Sequence, residues 1–455
     1  MPEPPSKPKF KSFVIAPPVR KQMDVQAGKA KPEPIPVIIS LRESETNPER
    51  GVEPSKLALR EFLQKLGYEV TESDFYLFAR LLPEHIQLLA EKKDLVYQIW
   101  KDDICHAHLL SSVETIKASA SWRTFEARGK GITWAVLDTG VRADHLHFAQ
   151  FQTIDAALSK DFSNMNSLDD RNGHGTHVAG IIAGASKPRE DQKPYVAATF
   201  VEEQDQPALV PLPSCPSGIA PLAKIVNVKV LDDDGTGSAS AAIRGLEYVR
   251  KLNQLSRAIK IDGANMSLGY PFDPQWYGCG HSPLCEEVTR AVRSGLVVVV
   301  SCGNSGYGVT TLNTGQQVPV WVDCSISDPA NAEETIAVGS VHKNAPHTYG
   351  ISYFSSKGPT GDGRNKPDLV APGEKVISCS IHLDQGYEYE ERSGTSMAAP
   401  HVSGAIAAFL SVHPEFRGDP GTVKEIFLKS ATDLGRNRAF QGAGLVDLLR
   451  AVTAV

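Results

Sequence analysis

Five near-continuous apolar runs constrain the fold of this chain more than any other feature of its sequence. They lie between residues 132 and 341 and read ITWAVLD, AKIVNVKVL, IDGANMSLG, GLVVVVS and TIAVGSV. Runs without polar alternation are typical of parallel strands that are covered on both faces. Between them lie helical stretches such as GTHVAGIIAGA, ASAAIRGLEYVRKLN and CEEVTRAVRSG. This alternation of strands and helices predicts an α/β fold with a mostly parallel central sheet.

The 455 residues are too many for one small core, and the sequence divides into three predicted segments. Residues 1–35 are rich in Pro and Lys and are expected to form a flexible tail. Residues 36–105 carry the order strand–helix–strand–helix–strand, which predicts a small α+β domain. Residues 112–455 contain the apolar runs and form the predicted main domain. Within it, residues 186–217 are a Pro- and acid-rich insertion that is expected to be a surface loop.

The charge of the chain excludes some partners. A net charge of −6 argues against a general attraction to nucleic acid or to an acidic membrane, and neither partner is expected. No apolar run approaches the roughly 20 residues that span a bilayer. The first residues, MPEPPSKPKFKSFVIAPPVRKQ, lack the apolar centre of a signal peptide. The sequence as it stands therefore predicts a cytoplasmic protein.

The seven cysteines are an odd number and are scattered, which fits reduced thiols better than a disulfide framework. Cys279 and Cys285 flank a short loop and could pair in an oxidising compartment. Together with His281 they could hold zinc, but further ligands at a useful spacing are lacking. We therefore expect no zinc site here.

Asp138 ends the apolar run TWAVLDTGV. A carboxylate at the carboxyl end of a parallel strand lies where open α/β sheets place their functional sites. Gly140 allows the chain to turn away at once. Taken alone, Asp138 is about as well explained as an aspartate that caps a turn.

His174 lies in NGHGTHVAGIIAG, between two glycines that permit close approach of the backbone. The small residues that follow suit a helix packed tightly against a sheet. His177 comes three residues later, and two histidines at this spacing can suggest a metal site. No Glu lies between them as in the HExxH motif, so we expect no metal, and His177 is predicted to pack beside the site.

Ser396 and Asn304 complete the set of candidate catalytic residues. Ser396 precedes an apolar helix of small residues, whose positive end would favour an oxyanion, and Pro400 is expected in the first turn of that helix. Taken alone, Ser396 is a helix N-cap. Asn304 follows the run VVVVSCG and could donate to an oxyanion together with the Ser396 backbone N–H. The alternative for Asn304 is a turn residue in GNSG.

Peptide hydrolysis by a serine needs an activated hydroxyl, a base oriented by an anion, and donors for the oxyanion. The chain offers these groups in the order Asp…His…Ser, which is the order of subtilisin. It resembles the subtilase family in the motifs AVLDTGV, NGHGTHVAG, ANMSLG, SCGN, KPDLVAPG and SGTSMAAPHVSG, over residues 112–455. The resemblance implies a serine endopeptidase with a subtilisin-like three-layer sandwich. It also implies a catalytic triad of Asp138, His174 and Ser396, with Asn304 as oxyanion donor.

The resemblance further implies where a polypeptide substrate binds. The substrate is expected to pair as an added strand along Ser267, Leu268 and Gly269. The pocket for the side chain before the scissile bond is then expected beside Ser301 and Gly303. A second wall is expected near Gly237, and Cys302 is expected to be a packing residue.

The small domain of residues 36–105 resembles the subtilase propeptide in position, length and element order. That resemblance implies an intramolecular inhibitor that is removed by cleavage between about residues 105 and 112, and hence a zymogen. The alternative is a permanent regulatory or partner-binding domain. Two further alternatives remain: a protease held latent until a partner releases it, and a catalytically silent relative that works as a binding module.

The family often binds calcium, through a loop after the histidine helix and a carboxylate shortly after the catalytic aspartate. Here His147 stands where that carboxylate is expected, and residues 186–217 replace the loop. Calcium prefers several oxygen ligands, so we predict no calcium at this place and no other cofactor. Three acids of the insertion could still bind a cation, although a solvated loop is the expectation: Glu202, Glu203 and Asp205.

Overall fold

The protein is described here by a computed structural model, which covers residues 14–27, 29, 31–43, 51–102, 111–200, 206–255, 259–275, 278–312 and 315–455. The chain divides into two compact units, Met1–His106 and Ala107–Val455. Each unit has its own apolar core.

The described residues of the first unit form α1 (Pro17–Ala27), β1 (Ile35–Leu41), α2 (Glu53–Lys65), β2 (Thr71–Glu72), β3 (Tyr76–Leu81), α3 (Pro83–Glu91) and β4 (Val96–Lys101). The strands make one antiparallel sheet in the order β2-β3-β1-β4. Alternate side chains of β1, such as Val37 and Ile39, are buried against Leu59 of α2 and Leu89 of α3. The expected order strand–helix–strand–helix–strand is present, with the short strand β2 added.

The prediction of a flexible tail over residues 1–35 is wrong for its described part, which contains α1. Ile15 is buried and forms a parallel bridge with Ile99 of the edge strand β4. The Ala16 N–H donates to the Ile99 carbonyl oxygen at 3.0 Å. Composition hid this attachment, because a few apolar side chains at the right spacing are enough to hold a Pro- and Lys-rich segment against a sheet edge. Residues 1–13 lie outside the described residues.

The described strands of the second unit are β5 (Thr133–Asp138), β6 (Lys160–Asp161), β7 (Val196–Thr199), β8 (Ala208–Pro211), β9 (Lys224–Lys229), β10 (Gly263–Met266), β11 (Val297–Ser301), β12 (Tyr307–Thr311), β13 (Gln317–Trp321), β14 (Ile336–His342), β15 (Leu369–Glu374), β16 (Val376–Cys379) and β17 (Tyr389–Arg392). Its described helices are α4 (Ser111–Thr115), α5 (Ala118–Phe125), α6 (Leu146–Ala149), α7 (His174–Ile182), α8 (Ala239–Gln254), α9 (Pro283–Arg293), α10 (Pro346–Tyr349), α11 (Thr395–Val412), α12 (Pro420–Ser430), α13 (Arg438–Gln441) and α14 (Leu448–Thr453).

Seven strands form the central sheet of this unit, in the order β15-β14-β11-β10-β5-β9-β6. Each described pairing within it is parallel. Trp134 and Val136 of β5 face an apolar cluster that includes α7 and α11, whereas Ala135 and Leu137 face a second cluster with α8 and α9. A sheet between two helical layers is a three-layer sandwich, so the predicted α/β fold class is confirmed.

Strand β5 lies where the strand order reverses, because the later strands β9 and β10 pair on its opposite sides. In open α/β sheets a crevice forms outside the carboxyl ends of the strands at such a point. Asp138 is the last residue of β5, Ser267 directly follows β10, and Ser301 ends β11. The fold therefore brings these candidate residues to one edge of the sheet.

The insertion of residues 186–217 was expected to be a surface loop, and this prediction is wrong in part. Strands β7 and β8 lie within it, and β7 pairs antiparallel with β8 and parallel with β17. The result is a second sheet in the order β16-β17-β7-β8, which satisfies backbone groups that a loop would leave to water. The acids Glu202, Glu203 and Asp205 lie outside the described residues.

Helix α11 is the one described helix that is long and apolar enough to cross a bilayer by length and composition. However, 83% of it is buried inside the protein, where Val402, Ile406 and Phe409 pack in the cluster that covers the sheet. Its apolar composition is therefore that of a core helix.

Candidate active site

Asp138 and His174 meet at the carboxyl end of β5. Nδ1 of His174 donates to Oδ1 of Asp138 at 2.7 Å, and the same oxygen accepts the Thr139 backbone N–H at 2.8 Å. Asp138 is only 1% exposed, whereas the His174 side chain is 23% exposed. A carboxylate on Nδ1 fixes the tautomer in which Nε2 is unprotonated, so Nε2 can accept a proton.

Two glycines let β5 and α7 approach this closely. At Gly140, with φ +109°, an added Cβ would lie 2.8 Å from the Leu168 carbonyl oxygen. At Gly175 an added Cβ would lie 2.1 Å from the Gly140 carbonyl oxygen. A side chain at either place would force the backbone apart. The prediction that both glycines beside His174 permit close backbone approach is confirmed for Gly175. At Gly173, with φ +90°, an added Cβ would instead meet the Arg392 side chain at 2.8 Å.

Asp170 is a buried residue of the site that the sequence reasoning missed. Its Oδ1 accepts from Thr139 Oγ1 at 2.9 Å and from the Gly173 N–H at 2.8 Å. Its Oδ2 accepts from the Thr176 N–H at 2.8 Å and from Thr176 Oγ1 at 2.7 Å. The carboxylate therefore ties the residue after Asp138 to the start of α7. An available signal was an acid just before a helix start, where free N–H groups attract carboxylates.

The pKa of His174 lies above its ordinary value of 6.5. Burial is the largest influence and lowers this pKa, but the charge of Asp138 and the hydrogen bond to it raise it by more in sum. Arg392 opposes these attractions, and Asp170 adds a further, smaller one. The imidazolium form is thus stabilised by carboxylates, as a general base requires after it takes a proton.

Ser396 is the second residue of α11. Its Oγ donates to the Ser267 carbonyl oxygen at 3.2 Å, and Ser267 Oγ donates to the Ser396 carbonyl oxygen at 2.9 Å. The Ser396 carbonyl can accept because Pro400, four residues later, has no N–H to donate to it. Pro400 was expected in the first turn but lies within the helix. The hydrogen bond from Ser267 replaces the helical bond that the proline removes.

Asn304 lies three residues beyond β11 and contacts the start of α11. Its Oδ1 accepts from the Thr395 N–H at 2.9 Å and from Thr395 Oγ1 at 3.0 Å. With the oxygen held in this way, the amide nitrogen is the end that remains to donate. Thr395 Oγ1 also accepts the Gly303 N–H at 3.2 Å. Sequence reasoning missed Thr395, although its place in GTS next to Ser396 was a signal.

Two cavities meet at residues 267–270 and contain the candidate site residues. One has a volume of about 550 Å³ and is lined by His174, Gly237 and residues 267–270. The other, of about 480 Å³, is lined by the same residues 267–270 and by Ser301, Gly303, Asn304 and Ser396. The cleft thus brings together the predicted residues Ser267, Leu268 and Gly269, and Ile326 and Ser327 form part of its wall.

His147, the residue expected in place of a calcium-binding carboxylate, is buried. Its Nε2 lies 3.2 Å from the carbonyl oxygens of Gly180 and Ala183, and its Nδ1 lies 3.2 Å from the Tyr389 hydroxyl. Carbonyls only accept, so Nε2 carries the hydrogen and Nδ1 accepts from Tyr389. Burial, with the nearby His145, lowers the pKa of His147 to about 3. A neutral imidazole that donates here does not fit a calcium ion, which prefers oxygen ligands.

The remaining candidate metal ligands are also accounted for within the described residues. His177 is buried, and its Nε2 lies 3.1 Å from the Glu390 carbonyl oxygen, in a packed position. The six described cysteines, Cys302 among them, form no disulfide. Among the described residues no three His, Cys, Asp or Glu side chains group closely enough to hold a metal ion.

The site gathers the residue types that can activate a hydroxyl, although the Ser396 Oγ donates to the Ser267 carbonyl oxygen rather than to His174. A histidine oriented by a buried carboxylate and a serine at a helix start border one cleft at the carboxyl ends of parallel strands, beside an amide donor. Serine hydrolases use these residue types as base, nucleophile and anion-stabilising groups.

Comparison with known proteins gives the same class. The Subtilase family matches residues 129–445. The chain is 31% identical to serine protease AprX of Bacillus subtilis, over 70% of this chain and 65% of AprX, so it spans just under two thirds of that relative. It is 32% identical to the intracellular serine protease of Paenibacillus polymyxa, over 77% of this chain and 89% of the relative. It is 31% identical to subtilisin E of Bacillus subtilis, over 78% and 76%.

The chain therefore belongs to the subtilase family, as the resemblance in its motifs implied. Membership places it among the serine-type endopeptidases.

Replacing Asp170 by Asn tests its effect on the alignment of the site and on the pKa of His174. Asn cannot accept from all the donors that surround Asp170, so we expect kcat/KM to fall on the order of 10–100-fold through lost alignment. Loss of the negative charge should also lower the pKa of His174, so the acid limb of kcat/KM should move to lower pH. Asp169→Asn, at an exposed neighbour, is the matched control. An unmoved acid limb would show that Asp170 has no electrostatic effect on His174.

The buried His147 predicts a steep loss of stability in acid. Its pKa of about 3 lies below the ordinary value of 6.5, so the folded chain binds fewer protons than the unfolded chain between these values. The free energy of unfolding must then fall as pH falls through this window. His147→Gln should remove about 1.4 kcal/mol per pH unit from that slope, measured by urea unfolding of Ser396→Ala protein. The exposed His347→Gln is the control, and an unchanged slope in His147→Gln contradicts the assignment.

Proposed function

We propose that this chain is a serine endopeptidase in which Ser396 is the nucleophile, His174 the general base and Asp138 the residue that orients and stabilises the imidazole. The observation that carries the proposal is the 2.7 Å hydrogen bond between His174 Nδ1 and the buried Asp138. It gives the histidine both the required tautomer and a raised affinity for a proton.

The reaction begins when the Ser396 hydroxyl turns from the Ser267 carbonyl, to which it donates at 3.2 Å, towards His174 Nε2. His174 takes the hydroxyl proton as Oγ attacks the scissile carbonyl carbon, and the proton then passes to the leaving amine. Water, activated by the same histidine, hydrolyses the acyl-enzyme and restores the serine.

Charge on the substrate oxygen is stabilised by two donors: the Asn304 side-chain amide and the Ser396 backbone N–H. The bonds from Thr395 to Asn304 Oδ1 support this role, because they hold the amide with its nitrogen as the free end. A donor fixed before the reaction needs no reorganisation when charge develops.

The substrate is a polypeptide that adds a strand along Ser267, Leu268 and Gly269, with the pocket for the side chain before the cut beside Ser301 and Gly303 and a further wall near Gly237. The shared lining of the two cavities supports this path. All residues that line the Ser396 cavity are uncharged, so we expect an uncharged side chain there.

In this proposal, the first unit is an intramolecular inhibitor that is removed during maturation. Its order of elements and its separation as a compact unit support a propeptide-like role. Two alternatives make different predictions: a protease kept latent until a partner releases it, and a silent binding module.

We also propose that the enzyme acts inside the cell. One relative is named an intracellular serine protease.

Intact mass measured before and after a serine-directed fluorophosphonate tests the assignment of Ser396. Wild-type protein should gain one adduct and Ser396→Ala none, because only an activated hydroxyl reacts. Ser396→Ala should also reduce kcat by on the order of 10⁶ while leaving the thermal unfolding temperature unchanged. An adduct of equal yield on Ser396→Ala, or activity near wild type, contradicts the assignment.

The same mass spectrum distinguishes the roles of the first unit. An adduct on a chain shortened near residues 105–112 supports a self-processing zymogen. An adduct on the full-length chain means that the unit remains and is not an obligatory inhibitor. A full-length chain without an adduct supports the latent or silent alternatives.

A further inference from the structure

The hairpin of β12 and β13 exposes its apolar side. Tyr307 pairs with Trp321 and Val309 with Pro319, and paired residues lie on the same face of a hairpin. This face, here called the aromatic face, points to solvent, with Val309 62% and Trp321 61% exposed. The opposite face, which carries Val318 and Val320, is half-buried. Apolar side chains normally pack inward, so an outward aromatic face indicates a surface that binds something.

The side chains of the aromatic face pack against one another and against a buried cation. The rings of Tyr307 and Trp321 meet edge to face at 5.5 Å between centroids, and Tyr353 meets Tyr307 in the same way at 5.7 Å. Below them the buried Lys357 ammonium lies 4.3 Å from the Trp321 ring centroid and donates to the Gly306 carbonyl oxygen at 2.5 Å. Aromatic side chains fixed in advance lose little entropy when they bind a partner.

The aromatic face continues into the candidate active site. Val322, the residue after Trp321, lines the same cavity as Asn304 and Ser396. Residues 303–322 contain no charged side chain, and the residues that line this cavity are uncharged as well. A ligand that reaches from the cleft onto the hairpin therefore meets an uncharged surface along its path.

We propose that the aromatic face is a docking surface for apolar segments of unfolded polypeptide substrates, next to the bond that is cut. The proposal rests on the proposed peptidase function. The continuity with the cleft indicates that the occupant is the substrate itself rather than a separate partner. Unfolded substrates are indicated because large apolar side chains are mostly buried in folded proteins and become available in unfolded chains.

Direct binding tests the proposal without requiring turnover. The probe is fluorescein-labelled α-lactalbumin, reduced and carboxymethylated so that it stays unfolded. Its anisotropy is measured on protein whose Ser396 has been blocked with the fluorophosphonate, so that any self-processing has already taken place. Adding Val309→Ser, or separately Trp321→Ser, should raise Kd by at least about fivefold, as expected when a central apolar contact is lost. Gln317→Ala, on the same exposed face, is the matched control and should leave Kd unchanged. Trp321→Ser also removes the contact with Lys357, so Val309→Ser is the variant that decides if Trp321→Ser fails to fold.

Kinetics on chains with an intact Ser396 separate docking from catalysis. Val309→Ser should raise KM for the unfolded protein about fivefold with kcat unchanged. Its kcat/KM for a tetrapeptide p-nitroanilide, too short to reach beyond the cleft, should stay within about twofold of wild type. Native, disulfide-bonded α-lactalbumin should bind weakly to every variant.

Three outcomes would overturn the docking surface. An unchanged Kd in both hairpin variants excludes substrate docking. Equal losses on the unfolded protein and on the tetrapeptide mean that the hairpin shapes the catalytic cavity instead. A dimer that the variants dissociate in sedimentation, without a change in Kd for the probe, assigns the face to a second copy of the chain. If wild-type protein shows no fluorophosphonate adduct, the chain is latent or silent, and the anisotropy measurement still decides the docking.

Discussion

One buried carboxylate, that of Asp170, holds the candidate active site together. The hydrogen bond that orients His174 is made by a different carboxylate, that of Asp138. Asp170 accepts from Thr139, which follows Asp138, and from Thr176, two residues after His174. One hydrogen bond between two side chains does not fix the backbone segments that carry them. A carboxylate that accepts hydrogen bonds on both oxygens holds both segments in place. Glycine at 140 and 175 is then required, because the elements are drawn closer than a Cβ allows.

At the start of α11, hydrogen bonds from other elements of the fold hold Ser396 and its neighbour in place. Pro400 leaves the Ser396 carbonyl without its helical donor, and Ser267 supplies one from the segment after β10. Thr395 bonds Asn304 from the same turn. Strand ends that are far apart in sequence are therefore tied to one helical turn. The proposed nucleophile, amide donor and substrate strand keep their relative positions as a result.

The sequence predicted the parallel sheet because buried parallel strands are apolar throughout, and Asp138 stood out because it ends such a run. Family motifs pointed to His174, Ser396 and Asn304. Asp170 and Thr395 were missed because their role depends on which distant donors the fold brings to them, and local patterns carry little of that information. The order in residues 14–27 and in the strands of the insertion was missed for a similar reason. Each depends on pairing with a strand remote in sequence, Ile99 in one case and Tyr389 in the other.

A residue of the insertion also takes part in the hydrogen bonds that hold the region beside α7. Its Ser186 hydroxyl lies 2.6 Å from the Tyr389 hydroxyl, which in turn donates to His147, and His147 donates to the carbonyls that end α7. This is a chain of neutral donors and acceptors in which each buried polar group satisfies the next. An ion held by carboxylates would make such a region depend on the concentration of that ion. A neutral imidazole makes it depend on protons instead, because the network has no acceptor on Nδ1 once His147 is protonated.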